Sequence, residues 1–132
     1  MAGIYVDTSA LGRLLLAEPE AEAIRSVLEG HDTWWSSELL VVELRRLAAR
    51  EGLEPAAEEY LDAFQFVPID SASLQRASHV EPTAVRSLDA IHLEAAVQLR
   101  ERSEINGVGT YDHQLQTGCT HHRLSVHAPV KT

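Results

Sequence analysis

The chain has 132 residues, 45% of them hydrophobic and 23% charged, and a formal charge of −9 from 11 Lys and Arg against 20 Asp and Glu. This is a globular mixture of one domain's length, so disorder and fibrous folds are excluded, and no apolar run approaches the ~20 residues of a membrane span. The acidity argues against a broadly basic surface that wraps nucleic acid, but it leaves open an acidic pocket that holds metal ions.

Short β-rich runs alternate with longer helical ones, the pattern of an α/β layer architecture. The first β-run covers residues 4–6. Pro19 suits a first helical position, and Ala21, Ile24, Val27 and Leu28 form a helical stripe closed by Gly30. After a second β-run over 33–35, Ser36 or Ser37 caps a helix in which Leu40, Leu44 and Leu47 repeat at i, i+4 and i+7 until Gly52. Pro55 opens another helix with Ala57, Leu61 and Phe64 on one side, so residues 38–64 read as a helical hairpin. A β-run over 66–69 precedes a short helix capped by Asp70 and Ser71 and ending near Ser78. Ser87 caps a helix over 88–102 that carries Ile91, Ala95 and Leu99 on one face. A strand over 105–108 is diluted by Asn106, Gly107 and Gly109, and a final run covers 124–126. No repeat or linker interrupts this order, and residues 1–132 are read as a single domain.

Four acids stand at unusual places. Asp7 directly follows an apolar strand, and the crevice beyond the carboxyl ends of parallel strands is where α/β folds bind ligands; an equally physical use of Asp7 is to cap the helix that starts near Ser9. Glu43 lies among Leu39, Leu40, Val41, Val42 and Leu44, on a partly apolar helical face, or else is a solvated partner of Arg46. Asp89 is in the first turn of its helix, where the macrodipole favours an anion, and Asp112 follows the fourth strand, where it too could be a cap. All four fall at strand ends or helix starts, on what an alternating chain makes one edge. Carboxylates crowded there raise one another's pKa unless a cation joins them, and Mg²⁺ or Mn²⁺ is the hard cation suited to oxygen ligands, water and phosphate. Such ions serve phosphodiester hydrolysis by activating water and stabilising the leaving oxygen.

YVDTSAL at the N-terminus, SSELLVVELRR near residue 40, RSLDAIHLEAA and TYDHQL together resemble the four acidic motifs of PIN-domain ribonucleases, most closely the VapC toxins of bacterial toxin–antitoxin pairs. The resemblance runs from Ile4 to about Leu115, and DTSAL with LDAIHL is its specific part. It implies a three-layer α/β/α domain with a central, mostly parallel sheet of four to five strands, a protruding helical hairpin, and a metal pocket at the carboxyl edge. In that frame Asp7, Asp89 and Asp112 hold Mg²⁺ or Mn²⁺ directly or through water, and Glu43 binds or orients a second ion or the attacking water. The implied reaction is endonucleolytic RNA cleavage, with in-line attack of water on phosphorus and a departing 3′-hydroxyl. Thr8 and Ser9 match the hydroxyl residues after the first aspartate, and with Thr110 they are candidates to orient a carboxylate or a bound water. The segment INGVGTYD departs from the family's continuous apolar strand and leaves the length of the fourth strand open.

Arg13, Arg46 and Arg86 are candidates for phosphate contacts at the rim, against the alternative of plain surface charge. The apolar hairpin is the region that in these toxins receives the cognate antitoxin, and the same face suits self-association into a homodimer. Alternation along the second strand places at least one of Trp34 and Trp35 in the core. His113, His121, His122 and His127 lack the spacing and companion ligands of a zinc site, and His92 is expected to pack or hydrogen-bond. Cys119 is the only cysteine, which excludes a disulfide framework and a cysteine-built zinc site and fits a reducing compartment; with no signal peptide in MAGIYVDTSAL, the expected location is the cytoplasm. Two other functions compete. A phosphatase with Asp7 as nucleophile needs a second acid two residues on, where this chain has Ser9, and a non-catalytic module would keep the fold but act through its partner surface.

Overall fold

The computed structural model describes residues 2–130, so the ends of the expected 1–132 domain lie outside the described residues. β1 (Gly3–Val6) leads into α1 (Thr8–Leu15) and α2 (Ala21–Glu29), and β2 (Trp34–Ser37) into α3 (Leu39–Glu51) and α4 (Glu54–Asp62). β3 (Phe64–Val67) is followed by α5 (Ser71–His79) and α6 (Ser87–Glu101), and β4 (Ile105–Gly109) by α7 (His113–His121) and the short β5 (Val126–His127). The strands form one sheet in the order β3-β2-β1-β4-β5, with every pairing parallel. From β1 the chain steps outward to β2 and β3, then returns to the other side of β1 for β4 and β5. The order therefore reverses between β1 and β4, and a crevice opens at such a switch point beyond the strands' carboxyl ends. Val6 stands opposite Gly109 there, so Asp7 and Thr110, the residues that follow, leave the sheet side by side.

Alternation along β1 builds two cores. Ile4 and Val6 join Leu11, Ile24, Leu28, Leu40, Leu44 and Leu61 on the face covered by α1 to α4. Tyr5 points the other way, toward Leu93, Leu99, Val108 and Leu115 from α6, β4 and α7. The result is the three-layer α/β/α arrangement with an all-parallel sheet. Alternation also divides the tryptophans: both are half-buried, Trp34 against the first core with its indole N–H on Leu28 O at 2.8 Å, and Trp35 against the second. The α3–α4 hairpin turns its inner leucines into the first core and presents Val42, Arg45, Arg46, Ala49 and Arg50 to solvent.

Several boundaries differ from those the sequence suggests. β2 extends to Ser37 because Ser36 and Ser37 pair with Phe66 and Val67, which makes them strand residues, although Ser37 Oγ still accepts the Leu39 N–H at 3.1 Å. Phe64 belongs to β3 instead of the hairpin, paired with Trp34 and packed edge-to-face on its ring, so β3 starts two residues early. Ser87 is the first helical residue of α6 and Arg86 occupies the cap without a side-chain bond. Asp70 does cap α5, in a reciprocal box with Ser73. Gly52 ends α3 at φ 70°, a left-handed conformation suited to glycine. β4 forms despite its glycines because the sheet needs the space: a Cβ on Gly107 would lie 2.7 Å from His127 Nε2. The helix α7 had no sequence signal beyond the cap residue Asp112, and it forms where that cap meets the buried Leu115 and Cys119.

Candidate active site

The residues that follow β1 and β4 interlock. Asp7 is 4% exposed, and its side chain serves as the N-cap of α1 by accepting the Ala10 N–H at 3.2 Å. The same Oδ1 accepts the Ser9 hydroxyl at 2.7 Å, and Oδ2 accepts the Thr110 hydroxyl at 2.7 Å. Ser9 Oγ in turn accepts the Tyr111 N–H at 2.8 Å, and Thr110 Oγ1 accepts the Asp112 N–H at 3.0 Å. Capping engages Oδ1 alone, and Oδ2 is met by Thr110. Burial pushes the Asp7 carboxyl above its usual range, although the charge of His92 and the three donors pull it back.

Glu43 enters from α3. Thr8 donates its hydroxyl to Glu43 Oε1 at 2.7 Å, and His92 Nε2 lies 2.9 Å from the same oxygen. Burial opposes the charge on Glu43, but the hydrogen bonds from His92 and Thr8 and the charge of His92 outweigh it, and the carboxyl sits below its usual range. His92, on α6, places Nδ1 2.6 Å from the Tyr5 hydroxyl, which also accepts the Ser37 N–H at 3.1 Å. Burial keeps Tyr5 a neutral phenol, its pKa well above the ordinary value. His92 therefore does hydrogen-bond, as the sequence suggests, but its place between Tyr5 and Glu43 carries no signal in the sequence, because both partners are distant in the chain. Tyr5→Phe would strip a partner from the buried Ser37 N–H and from His92 at once; chemical denaturation should register a loss of roughly 1–3 kcal/mol.

Asp89, in the first turn of α6, is pushed above its usual range by burial and next by Asp112, with Asp7 adding to the push and Arg86 opposing it. Arg86 Nε is 3.8 Å from Asp89 Oδ2 and the side chain is 73% exposed, so it neutralises little. Asp112 caps α7 by accepting the Leu115 N–H at 3.0 Å. Asp89 thus feels the charges of Asp112 and Asp7, and Asp7, Glu43 and Asp89 each feel His92. Among the described residues, no three acidic, histidine or cysteine side chains are gathered into a ready-made cage for an ion. The donor set nonetheless suits Mg²⁺ or Mn²⁺: oxygen ligands only, negative charge left largely uncompensated, and one or two carboxylates per ion with water completing the shell.

Residues 4–117 match the PIN domain family. The chain belongs to the PIN-domain family. Its VapC-type relatives include Ribonuclease VapC47 of Mycobacterium tuberculosis (strain CDC 1551 / Oshkosh), 40% identical over 124 residues that cover 88% of this chain and 89% of that protein. Ribonuclease VapC46 of M. tuberculosis (strain ATCC 25618 / H37Rv) is 32% identical over 131 residues, covering 98% and 99%. Ribonuclease VapC35 of the same species is 34% identical over 131 residues, covering 96% of each chain.

In this PIN domain the arginines stand differently from one another. Arg86 flanks Asp89 at the crevice. Arg13 lies over the Tyr111 ring at 4.4 Å and pairs with Glu20 at 3.4 Å, which ties the end of α1 to the loop between Thr110 and Asp112. Arg46 is exposed on α3 and lines a surface groove with Ala49 and Arg50. Cys119 is fully buried and burial raises its thiol to about 12, which suits packing against α6 and excludes a nucleophile. No helix among the described residues is long and apolar enough to cross a membrane.

Proposed function

We propose that this PIN domain is a cytoplasmic, divalent-metal-dependent endoribonuclease, the toxin of a toxin–antitoxin pair. The observation that supports the reading is Asp89, whose carboxyl is pushed up by the charges of both Asp112 and Asp7, the residue that leaves β1 beside Thr110 after β4, in a chain whose relatives are named ribonucleases. Asp7, Asp89 and Asp112 hold Mg²⁺ or Mn²⁺, and Glu43 orients a second ion or the attacking water. When bound, the cation lowers the pKa of water and offsets charge on the phosphate and the leaving oxygen. The chain's own residues prepare for this. Thr110 and Ser9 fix both oxygens of Asp7, Thr8 fixes Glu43, and Arg86 with Arg13 and Arg46 supplies positive charge for the RNA backbone.

The exposed face of the α3–α4 hairpin, with Val42 56% exposed beside Arg46 and Arg50, is the surface assigned to the cognate antitoxin and to a second copy in a homodimer. The deciding experiment is cleavage of a mixed RNA substrate by the purified protein, freed of any antitoxin. EDTA should abolish cleavage and added Mg²⁺ or Mn²⁺ restore it. Cleavage that persists in EDTA overturns the metal role, and its absence under every metal condition favours a non-catalytic module. The phosphatase reading gains nothing from the geometry, since Ser9 occupies the place of the second acid and donates to Asp7.

A further inference from the structure

Both hydrogen bonds to Glu43 meet on one oxygen, Oε1, from Thr8 on α1 and His92 on α6. Among the described residues no donor meets Oε2, and the Glu43 side chain is 26% exposed. A lone carboxylate turns easily about its last torsion, which is broad and two-fold. Two donors from different elements on a single oxygen remove that freedom. The imidazole can donate to Glu43 only if Nε2 carries a proton, and Nδ1 is held at 2.6 Å by the Tyr5 hydroxyl, itself anchored by the Ser37 N–H at 3.1 Å.

We propose that Tyr5 and His92 form a positioning pair that pins Glu43 Oε1 and turns Oε2 outward as the oxygen offered to the divalent cation or its water. The pair spans the sheet: Tyr5 comes from the central strand, Ser37 from its neighbour and His92 from the helix that covers them. Thr8 completes it from the residue beside Asp7, so the start of α1 sets the orientation of two acids together. Histidine is needed because it accepts or donates at one nitrogen while donating at the other across the width of a ring; a shorter polar side chain cannot reach both Tyr5 and Glu43. This rests on the metal-site reading, and its test separates the two.

In metal-free protein labelled with ¹⁵N-histidine, the Nε2 of His92 is expected to show a protonated nitrogen signal, lost as a distinct environment in Tyr5→Phe. An unprotonated Nε2 overturns the pair with no reference to metal or activity. Calorimetric titration with Mn²⁺ then compares wild type with His92→Leu and His92→Gln, each checked for folding by circular dichroism. Leucine should weaken Mn²⁺ about tenfold or more, the scale on which orienting partners of metal ligands act. Glutamine keeps an amide donor at the position of Nε2 and should restore most of the affinity. Equal affinity in the leucine and glutamine variants overturns the positioning role. Wild-type protein that binds no Mn²⁺ overturns the metal-site reading and the role of Oε2 with it, while the Nε2 signal reports separately on the hydrogen-bonded pair.

Discussion

Asp7→Asn should lose metal-dependent RNA cleavage by about a hundredfold to a thousandfold, the scale on which removing a single electrostatic partner of a transition state is felt, and yet gain stability. The gain follows from burial. Asp7 is 4% exposed and its pKa is raised from 3.8, so its charged form is disfavoured by folding. The contribution of such a group is fully present below its unfolded pKa and is lost as pH rises through the higher folded value. At neutral pH the folded protein therefore carries this cost, and a neutral amide of the same shape removes it. Asparagine can still accept from Ala10 and Ser9 through its carbonyl, and the Thr110 hydroxyl can turn to accept from its NH₂ group. The expected increase at pH 7 is about 1 kcal/mol, or roughly 4 °C in Tm for a chain of this size. At pH 3 the difference should vanish. Mn²⁺ should raise the Tm of the wild type and leave the asparagine variant unmoved, because a ligand stabilises only the state that binds it. A variant that cleaves RNA normally, or that melts earlier than wild type at pH 7, would contradict the role assigned to this carboxylate.

Leu44→Ala should be among the most damaging of the truncations on α3. Leu44 is fully buried and packs in the core shared with α1 and the sheet, so its loss leaves a cavity as well as lost transfer energy, about 3 kcal/mol together and roughly 10 °C in Tm. Val42→Ala, two residues away, should cost about 0.5 kcal/mol or less, since Val42 is largely exposed. Urea midpoints of the two variants measure this contrast directly. The functional consequence follows from the chain itself: Glu43 stands between the two positions, on the helix that Leu44 anchors to the core. Partial loss of cleavage in Leu44→Ala at temperatures well below its melting point would report that the seating of α3 matters to Glu43.

The net charge of −9 takes on a different meaning once the acids are located. Asp89 feels the negative charge of Asp112 and Asp7, and Arg86 is the arginine set against it, at 3.8 Å. A polyanion approaches such a surface only where positive charge is supplied locally, and divalent cations in the crevice with arginines around it are the proposed supply.

Much of this was legible in the sequence. The apolar residues Ile4 to Val6 before Asp7 and the pair Trp34–Trp35 after Thr33 announced strands, and the i, i+4, i+7 leucines of α3 announced its buried face. Those signals are local, because side-chain direction in a strand or helix follows from its period alone. The boundaries of β2 and β3 were not local. They are set by pairing of Ser36 and Ser37 with Phe66 and Val67, a register that no single segment contains. β4, weak in propensity, is a strand because it pairs with β1 on one side and β5 on the other, and Gly107 leaves room for the His127 ring.

The sequence by itself determined the α/β class and the hairpin, properties carried by residue type and short-range spacing, and it named four acids as candidates. Only the tertiary structure decided that Asp7 lies beside Thr110, that Glu43 is met by Thr8 and His92, and that Tyr5 stands behind them. Those contacts join residues 35 to 103 positions apart. Their geometry depends on which strands become neighbours in the sheet, and that choice is made by burial of the whole chain at once.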